Sequence, residues 1–363
     1  MARAVRFSEF GGPEVLEVVD IEMPVPEAGE VLVQVVAAGT NPVESAIRSG
    51  VSPDRWPVVF PEGQGRDLAG IVVGVGPGVT DFSVNDEVMG YVARGSHATH
   101  VVVPAAQLAH KPHSVAWEIA GSLYVAGTTA LDALQDTAVG RGDTLVVTSA
   151  AGGVGCLVVQ LAVRRGARVI GTAAPRNADY LRQIGATPVD YGPDLTSRIR
   201  ALAPDGVDAF IDFFGGDGVE TAVELGVPTG RISTVLDWGA VDDYGVQRAT
   251  AGSLRELLVV AELMEQHAVR MPIADVFSLD DVGDAYRRLD RREAVGKIVI
   301  GMNLVEYKNQ RLKGTALKEQ DATLGVPTPH PPTESVEVLP PVFGHRRGFV
   351  PIRRGDPRPA AGV

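Results

Sequence analysis

The sequence predicts an α/β protein in which a doubly wound parallel sheet follows a compact, curved barrel of short strands. Three observations lead there. Between Thr144 and about residue 262, short apolar runs alternate with helical stretches, the signature of βαβ units. Residues 1–118 hold β-branched runs separated by turn residues such as Gly11-Gly12-Pro13 and Gly76-Pro77-Gly78. The length of 363 residues exceeds one average domain, and 45% hydrophobic with 21% charged residues is enough for ordinary cores.

In the first part, residues 31–36 and 70–75 read as strands. The texture changes near Ala116. Four apolar runs then follow, at 143–148, 168–172, 207–212 and 231–235. Between the first two, residues 154–165 carry Leu157, Gln160, Leu161 and Arg164 at helical spacing. Parallel strands need crossovers, so helices cover both faces of this sheet, and residues 119–262 form the second domain. Residues 263–301 return to the first domain. There Phe277-Ser278-Leu279-Asp280-Asp281 reads as a helix entry capped by Ser278 or Asp280, and residues 296–300 as a closing strand. Residues 302–363 hold nine of the 25 prolines and a net charge of +3, from nine basic and six acidic side chains. They read as an extended C-terminal extension. Its pairs Arg346-Arg347 and Arg353-Arg354 are suited to docking on the acidic body or a partner subunit.

The chain carries −12 overall, so residues 1–301 carry −15. An acidic surface repels phosphate backbones and anionic lipid, which excludes nucleic acid and membrane as general partners and leaves a small-molecule substrate. No run reaches the ~18 apolar residues of a membrane span. Residues 1–6 lead into strand-like sequence without an apolar targeting segment, so the expected location is cytoplasmic. The single cysteine, Cys156, excludes an internal disulfide and a multi-cysteine metal site. It reads as a small buried apolar residue at a helix start.

The strongest local motif is residues 148–155, Thr-Ser-Ala-Ala-Gly-Gly-Val-Gly, which leaves a strand and opens a helix. A dinucleotide site needs that context. Small residues at positions 150–153 suit the tight turn, Gly152 admits a pyrophosphate, Gly155 lets helix and strand approach, and Ala151, Gly153 and Val154 are counted with them as cofactor-binding residues. Helix N–H groups then hold the phosphates. Ala150 stands where the common motif has its first glycine. At the end of the next strand, Thr172-Ala173-Ala174-Pro175-Arg176 offers no acid for a ribose 2′-hydroxyl but one guanidinium for a 2′-phosphate. NADPH is the expected cofactor, with Arg176 as its anchor.

Taken together, Gly39-Thr40-Asn41-Pro42-Val43-Glu44, Gly65-Arg66-Asp67-Leu68-Ala69-Gly70, Gly127-Thr128-Thr129-Ala130, residues 150–155 and Gly296-Lys297-Ile298-Val299 resemble the medium-chain dehydrogenase/reductases over residues 1–301. The resemblance implies a GroES-like barrel domain joined to a Rossmann domain, an active site in the cleft between them, and a homodimer through the edge of the Rossmann sheet. Zinc-dependent members carry cysteine where Asn41 stands and Gly-His-Glu where Gly65-Arg66-Asp67 stands. With one cysteine the chain lacks that ligand set, and no metal is expected. The zinc-free branch is similar to quinone oxidoreductases and enoyl reductases, which pass a nicotinamide hydride to an activated C=C bond or a quinone.

By the same resemblance, Asn41 lines the cleft and donates a hydrogen bond, and Thr129 lies near the nicotinamide or its phosphate. Phe213, Phe214 and Gly215 follow the strand beside the nicotinamide ribose, Tyr191 assists the 2′-phosphate, and Lys297 belongs with the cofactor-binding residues. Many relatives have a tyrosine proton donor soon after the Asn-Pro stretch, but residues 48–57 contain none. Solvent, Tyr91, Tyr124 or His97 then supplies the proton. Ala174 replaces a serine that helps hold the phosphate in many relatives. The reading is an NADPH-dependent reductase of an enone or quinone, with a reductive cyclase of secondary metabolism as one version. Alternatives are an NADPH-binding sensor or crystallin-like protein without turnover, and a zinc-dependent alcohol dehydrogenase. The loops at 48–62 and 236–252, which include Trp238, are expected to set specificity.

Overall fold

In the computed structural model, which describes residues 1–302, the first part of the chain builds two antiparallel sheets. Its strands are β1 (Ala2–Phe7), β2 (Glu17–Ile21), β3 (Glu30–Gly39), β4 (Glu62–Gly63), β5 (Asp67–Val75), β6 (Glu87–Tyr91), β7 (His100–Pro104) and β8 (Leu108–His110). Helix α1 (Pro42–Arg48) follows β3 directly. The smaller sheet has the order β2-β1-β4. In the larger one β3 pairs with β5 on one side, and β7 joins it at residues 30–34. Register shifts at Leu32/Val33 and Val35/Ala37 bend β3, as bulges do, and curve the sheet around a core of Val31, Val33, Val35, Leu68 and Val72.

The chain then crosses through α2 (Trp117–Ala120) and α3 (Leu123–Asp136) into a six-stranded parallel sheet. Its strands are β9 (Thr144–Val147), β10 (Arg168–Ala173), β11 (Ala186–Asp190), β12 (Ala209–Asp212), β13 (Ile232–Thr234) and β14 (Gln247–Arg248). The order is β11-β10-β9-β12-β13-β14, a doubly wound sheet that reverses direction at β9. Helices α4 (Gly155–Arg164), α5 (Ala178–Gln183), α6 (Leu195–Leu202), α7 (Gly218–Glu224), α8 (Trp238–Tyr244) and α9 (Leu254–Glu265) connect or cover it. Sequence periodicity pointed to four of these strands. It missed β11, whose Ala-Thr-Pro-Val-Asp has no continuous apolar run and carries a proline that only an edge strand accepts. It also missed β14, which is two residues long.

Residues 273–301 rejoin the larger sheet of the first part. Strand β15 (Ile273–Ser278) pairs with β16 (Lys297–Gly301), and β16 pairs with residues 37–39 of β3. Between them lies α10 (Val282–Asp290). Asp281 is the N-cap residue of α10 and makes no side-chain cap bond. The Ser278 hydroxyl, at the end of β15, accepts from the Asp281 N–H at 3.2 Å and donates to its carboxylate, so Ser278 caps the helix entry, whereas Asp280 is ion-paired with Arg3 instead. From residue 303 on, the C-terminal extension with its arginine pairs lies outside the described residues. No helix among the described residues is long and apolar enough to cross a membrane.

Candidate active site

The turn from β9 into α4 is tight because its residues leave no room. Ser149 takes the left-handed conformation at φ 49°, and the N–H of Ala150 donates to the Thr172 carbonyl of β10 at 3.0 Å. A Cβ on Gly155 would lie 2.3 Å from the Ser149 carbonyl oxygen and 2.8 Å from the Ala150 Cα, so only glycine fits. The N–H of Gly152 donates to Ser149. The Gly153 N–H faces the Gly296 carbonyl in a parallel bridge between residues 152 and 296, while those of Val154 and Gly155 have no acceptor among the described residues. Helix α4 has ten residues, so its positive end adds to the pull of these free donors on an anion. Ala151 is tied in the other direction, its carbonyl accepting from the Gly296 N–H at 2.9 Å.

The opposite wall is built on Asp212, the fully buried last residue of β12. Its carboxylate accepts from the hydroxyls of Thr148 at 2.6 Å and Thr234 at 3.1 Å, and from the N–H groups of Phe214 and Gly215. The Thr148 hydroxyl also accepts from the N–H of Phe213 at 2.8 Å. Three strand ends thus hold the loop at 213–215 in one shape. Sequence reading missed Asp212 and Thr148, which are ordinary residues at the ends of apolar runs.

Between these walls lies a cleft of about 420 Å³. Ala151, Gly152, Arg176, Tyr191 and Phe214 line it. Arg176 is exposed, and the Tyr191 ring stacks on Phe214 with centroids 6.1 Å apart. Arg291 and Arg292 reach the same cleft from the end of α10, with Asp290 and Glu293 beside them, and Asp217 adds a carboxylate from the start of α7. Arginines and carboxylates are equal in number, so position rather than total charge makes Arg176 the candidate phosphate anchor. Thr129 is buried in the middle of α3 and is not part of the cleft lining.

A second polar cluster sits beneath the cleft. Lys297 donates to the Asn41 side-chain oxygen at 2.6 Å and to the Thr40 carbonyl at 2.8 Å, and lies 3.6 Å from the Asp67 carboxylate. The Asn41 amide nitrogen donates to Glu44 at 3.0 Å and to Asp67 at 3.2 Å. Glu44 accepts from the Tyr286 hydroxyl at 2.6 Å, and Asp67 from the Val125 N–H at 2.9 Å. Burial pushes the Asp67 carboxyl up against the opposing pull of Lys297, and burial beside Glu44 pushes the Tyr286 phenol well up.

This cluster corrects two expectations. Asn41 is buried and both of its N–H donors are committed inside the protein, so it has none for a cleft ligand. Lys297 directs its ammonium to Asn41 and Thr40, and reaches the cofactor loop only through its stem, which a Cβ on Gly153 would meet at 2.6 Å. The cluster does not fit zinc either. A protein ammonium already sits among its oxygens, and no group of three or more His, Cys, Asp or Glu side chains is placed for a metal among the described residues. Sequence reading also missed the roles of Glu44, Asp67 and Tyr286. The Asn41-to-Glu44 spacing at a helix start was the available signal for the first.

The proposed proton donors separate clearly. His97 is buried and its Nε2 faces the Gly39 carbonyl at 3.1 Å, which can only accept, so this nitrogen carries the proton. Burial lowers its pKa, keeping the ring neutral and out of an acid's role. Tyr124 donates to the Gly252 carbonyl at 2.9 Å, and burial pushes its pKa far up. That commitment corrects its candidacy as donor. Tyr91 is half-buried, stacked on Tyr124 at 3.7 Å, and remains the tyrosine candidate. Cys156 is fully buried, with its thiol pushed up to about 12 by burial, which suits packing rather than reaction.

A doubly wound sheet with free helix N–H groups at its first turn, joined to a barrel-like half, defines a dinucleotide-binding two-domain class. Residues 27–113 match the family model of the alcohol dehydrogenase GroES-like domain, and residues 153–241 that of the zinc-binding dehydrogenase. The quinone oxidoreductase of Pseudomonas aeruginosa is 31% identical over 326 residues, covering 83% of this chain and 99% of the relative. The chloroplastic NADPH-dependent alkenal/one oxidoreductase of Arabidopsis thaliana is 32% identical over 81% of this chain and 78% of its own. The solved Escherichia coli quinone oxidoreductase complexed with NADPH superposes with a TM-score of 0.75 at 25% identity, covering 83% of this chain and all of that one. The chain therefore belongs to the medium-chain dehydrogenase/reductase superfamily, in its quinone oxidoreductase-like branch, and is an oxidoreductase.

Proposed function

We propose that this oxidoreductase uses NADPH to reduce an activated C=C bond, as in an enone, or a quinone. The observation that carries the reading is the cleft. It combines two free N–H groups at the start of α4 with Arg176, and the strand end before Arg176 has no carboxylate. The N–H groups of Val154 and Gly155 would hold the pyrophosphate, and Arg176 with Tyr191 the 2′-phosphate. The bound cofactor supplies the hydride. The names of the Pseudomonas and Arabidopsis relatives support the acceptor class.

The protein's own groups position and protonate. Asp212 and Thr148 hold the 213–215 loop, and the Lys297 stem braces Gly153 from below. With Tyr124 and His97 committed elsewhere, Tyr91 or solvent delivers the proton to the reduced acceptor. A reductive cyclase is the version in which the acceptor folds back on itself after hydride addition. The working unit is a homodimer through the open edge at β14, which would elute with twice the mass of one chain.

The test is fluorescence titration of NADPH and NADH against wild type and Arg176→Ala, followed by a quinone or enone. The expected result is a preference for NADPH that the variant loses by about tenfold or more, as one charge-assisted contact of ~1.5–3 kcal/mol implies. Oxidation of NADPH should follow the addition of acceptor. Equal affinity for both cofactors, or no effect of the substitution, overturns the cofactor reading. Tight binding with no turnover on any acceptor moves the function to an NADPH-binding sensor.

A further inference from the structure

Several half-buried arginines of this protein meet a carboxylate. Arg94 is ion-paired with Glu62 at 2.7 Å, Arg231 with Asp143 at 2.6 Å and Arg288 with Asp275 at 3.1 Å. Arg66 meets none. It is half-buried, and its Nε is shut away from solvent without a hydrogen-bond partner. Among the described residues its guanidinium makes no hydrogen bond or ion pair. A charge drawn out of water without such partners is costly, so its N–H groups are open to an oxygen from outside the protein.

The backbone fixes where this cation stands. Arg66 directly precedes β5, and its carbonyl accepts from the Val92 N–H at 2.9 Å. The next residue, Asp67, is paired with Tyr91 at the end of β6. Tyr91 stacks on Tyr124, whose hydroxyl donates to the Gly252 carbonyl in the nucleotide-binding half. Burial pushes the Tyr124 phenol up and the charge of Arg66 pulls it the other way, so the guanidinium is within electrostatic reach of that hydroxyl. Asp67 does not neutralise Arg66, because its carboxylate is taken up by the Val125 N–H, Asn41 and Lys297. Arg66 therefore lies at the junction of the two halves, beside the tyrosine left as proton donor.

A hydride moves only between atoms in contact, so an acceptor reduced by a cofactor on the nucleotide-binding half lies against that junction. We propose that Arg66 is a catalytic residue that binds the acceptor's carbonyl oxygen and takes up the negative charge that hydride addition places on it. The proposal rests on the reductase reading and requires a reducible C=C bond conjugated to a carbonyl. When the β-carbon gains the hydride, a C–H bond forms and the π electrons of the C=C bond shift through the carbonyl, leaving an enolate oxygen. The guanidinium holds that oxygen. The α-carbon then takes a proton from Tyr91 or water and the enolate becomes the saturated ketone, with the cofactor oxidised. In a quinone the same charge falls on a ring oxygen.

The test follows reduction of benzalacetone and menadione by wild type, Arg66→Ala, Arg66→Gln and Arg66→Lys. Arg66→Ala should lower kcat by ~10²–10³-fold, the cost of one oxyanion donor. NADPH affinity should stay within about twofold, since Arg66 does not line the cofactor cleft. Arg66→Lys should keep part of the rate. Added guanidinium ion should restore part of it to Arg66→Ala and none to Arg66→Gln, a recovery that a structural role would not show. Arg66→Gln, which keeps the bulk of the side chain, decides the matter if the alanine variant unfolds. A kcat within about threefold of wild type in a folded Arg66→Ala or Arg66→Gln overturns the proposal, because a lost oxyanion donor costs far more.

Binding is read separately, without turnover, from p-nitrophenol, whose ionised oxygen mimics the enolate. With NADP⁺ present, wild type should bind it as the yellow phenolate, and Arg66→Ala and Arg66→Gln should not. A wild type that reduces neither acceptor yet binds the phenolate through Arg66 fails the reductase reading and keeps the oxyanion site. A wild type that reduces both acceptors but binds no phenolate, with kcat unchanged in Arg66→Gln, removes the oxyanion role and leaves the reductase.

Discussion

Around Asn41 the carboxylates, the ammonium and the amide all find partners inside the protein, whereas at the start of α4 the N–H groups of Val154 and Gly155 find none. The first region lies beneath the cleft and is closed. The second opens onto it. Both are polar and both sit near the junction of the two sheets, so polarity alone does not mark a binding site. What separates them is whether the donors and acceptors are already satisfied. A satisfied buried network holds shape, and the open donors of the cleft are left for a ligand. The Lys297 stem against Gly153 joins the two, so the closed cluster braces the loop that would carry the cofactor.

The sharpest way to break this contrast is Asp67→Ala, which leaves the Lys297 ammonium buried beside a missing carboxylate. It should cost about 3–5 kcal/mol of stability, as removal of one partner from a buried pair does. A denaturant midpoint measures this, and a loss below ~1 kcal/mol would mean the cluster is less closed than its geometry states. Arg176→Ala is the opposite case. It should cut NADPH affinity by about tenfold while shifting stability by less than ~0.5 kcal/mol, because the side chain is exposed. Measuring both quantities on both variants separates holding from binding.

A pH series sharpens the picture at the edge of the closed cluster. His97 is kept neutral by burial, with its pKa lowered from 6.5. In the unfolded chain it protonates near that ordinary value, so acidification below about 6.5 favours unfolding, and the loss levels off only once pH passes the lowered folded value. His97→Gln can still donate to Gly39 and should flatten this acid-side fall in stability. An unchanged slope would assign the fall to other groups. The smallest effect belongs to Tyr124→Phe, which removes one hydrogen bond to the Gly252 carbonyl and should cost ~1 kcal/mol in stability. If Tyr124 is not the proton donor, kcat changes by less than about threefold, because a lost donor costs ~10²-fold or more. A fall of that size would return Tyr124 to the chemistry.

Local order was enough to read the cofactor side. The Thr148-to-Gly155 turn, the missing acid before Arg176 and the alternation of apolar runs are short-range features, each recorded within a few residues because a strand, a tight turn and a helix start have local steric demands. The closed cluster was not readable in that way. Lys297 meets Asn41 across 256 positions, and Tyr286 meets Glu44 across 242. No period or spacing encodes such pairings, since they arise only when β16 returns to pair with β3 and α10 lies beside α1. The same holds for the proton donor. Tyr91, Tyr124 and His97 are equivalent as residue types, and their burial and hydrogen-bond partners alone removed two of them. Sequence therefore specified the class of ligand at α4, because backbone donors and local sterics define it. Which side chains are free to act was left to the tertiary structure, because that depends on which groups the folded chain has already satisfied.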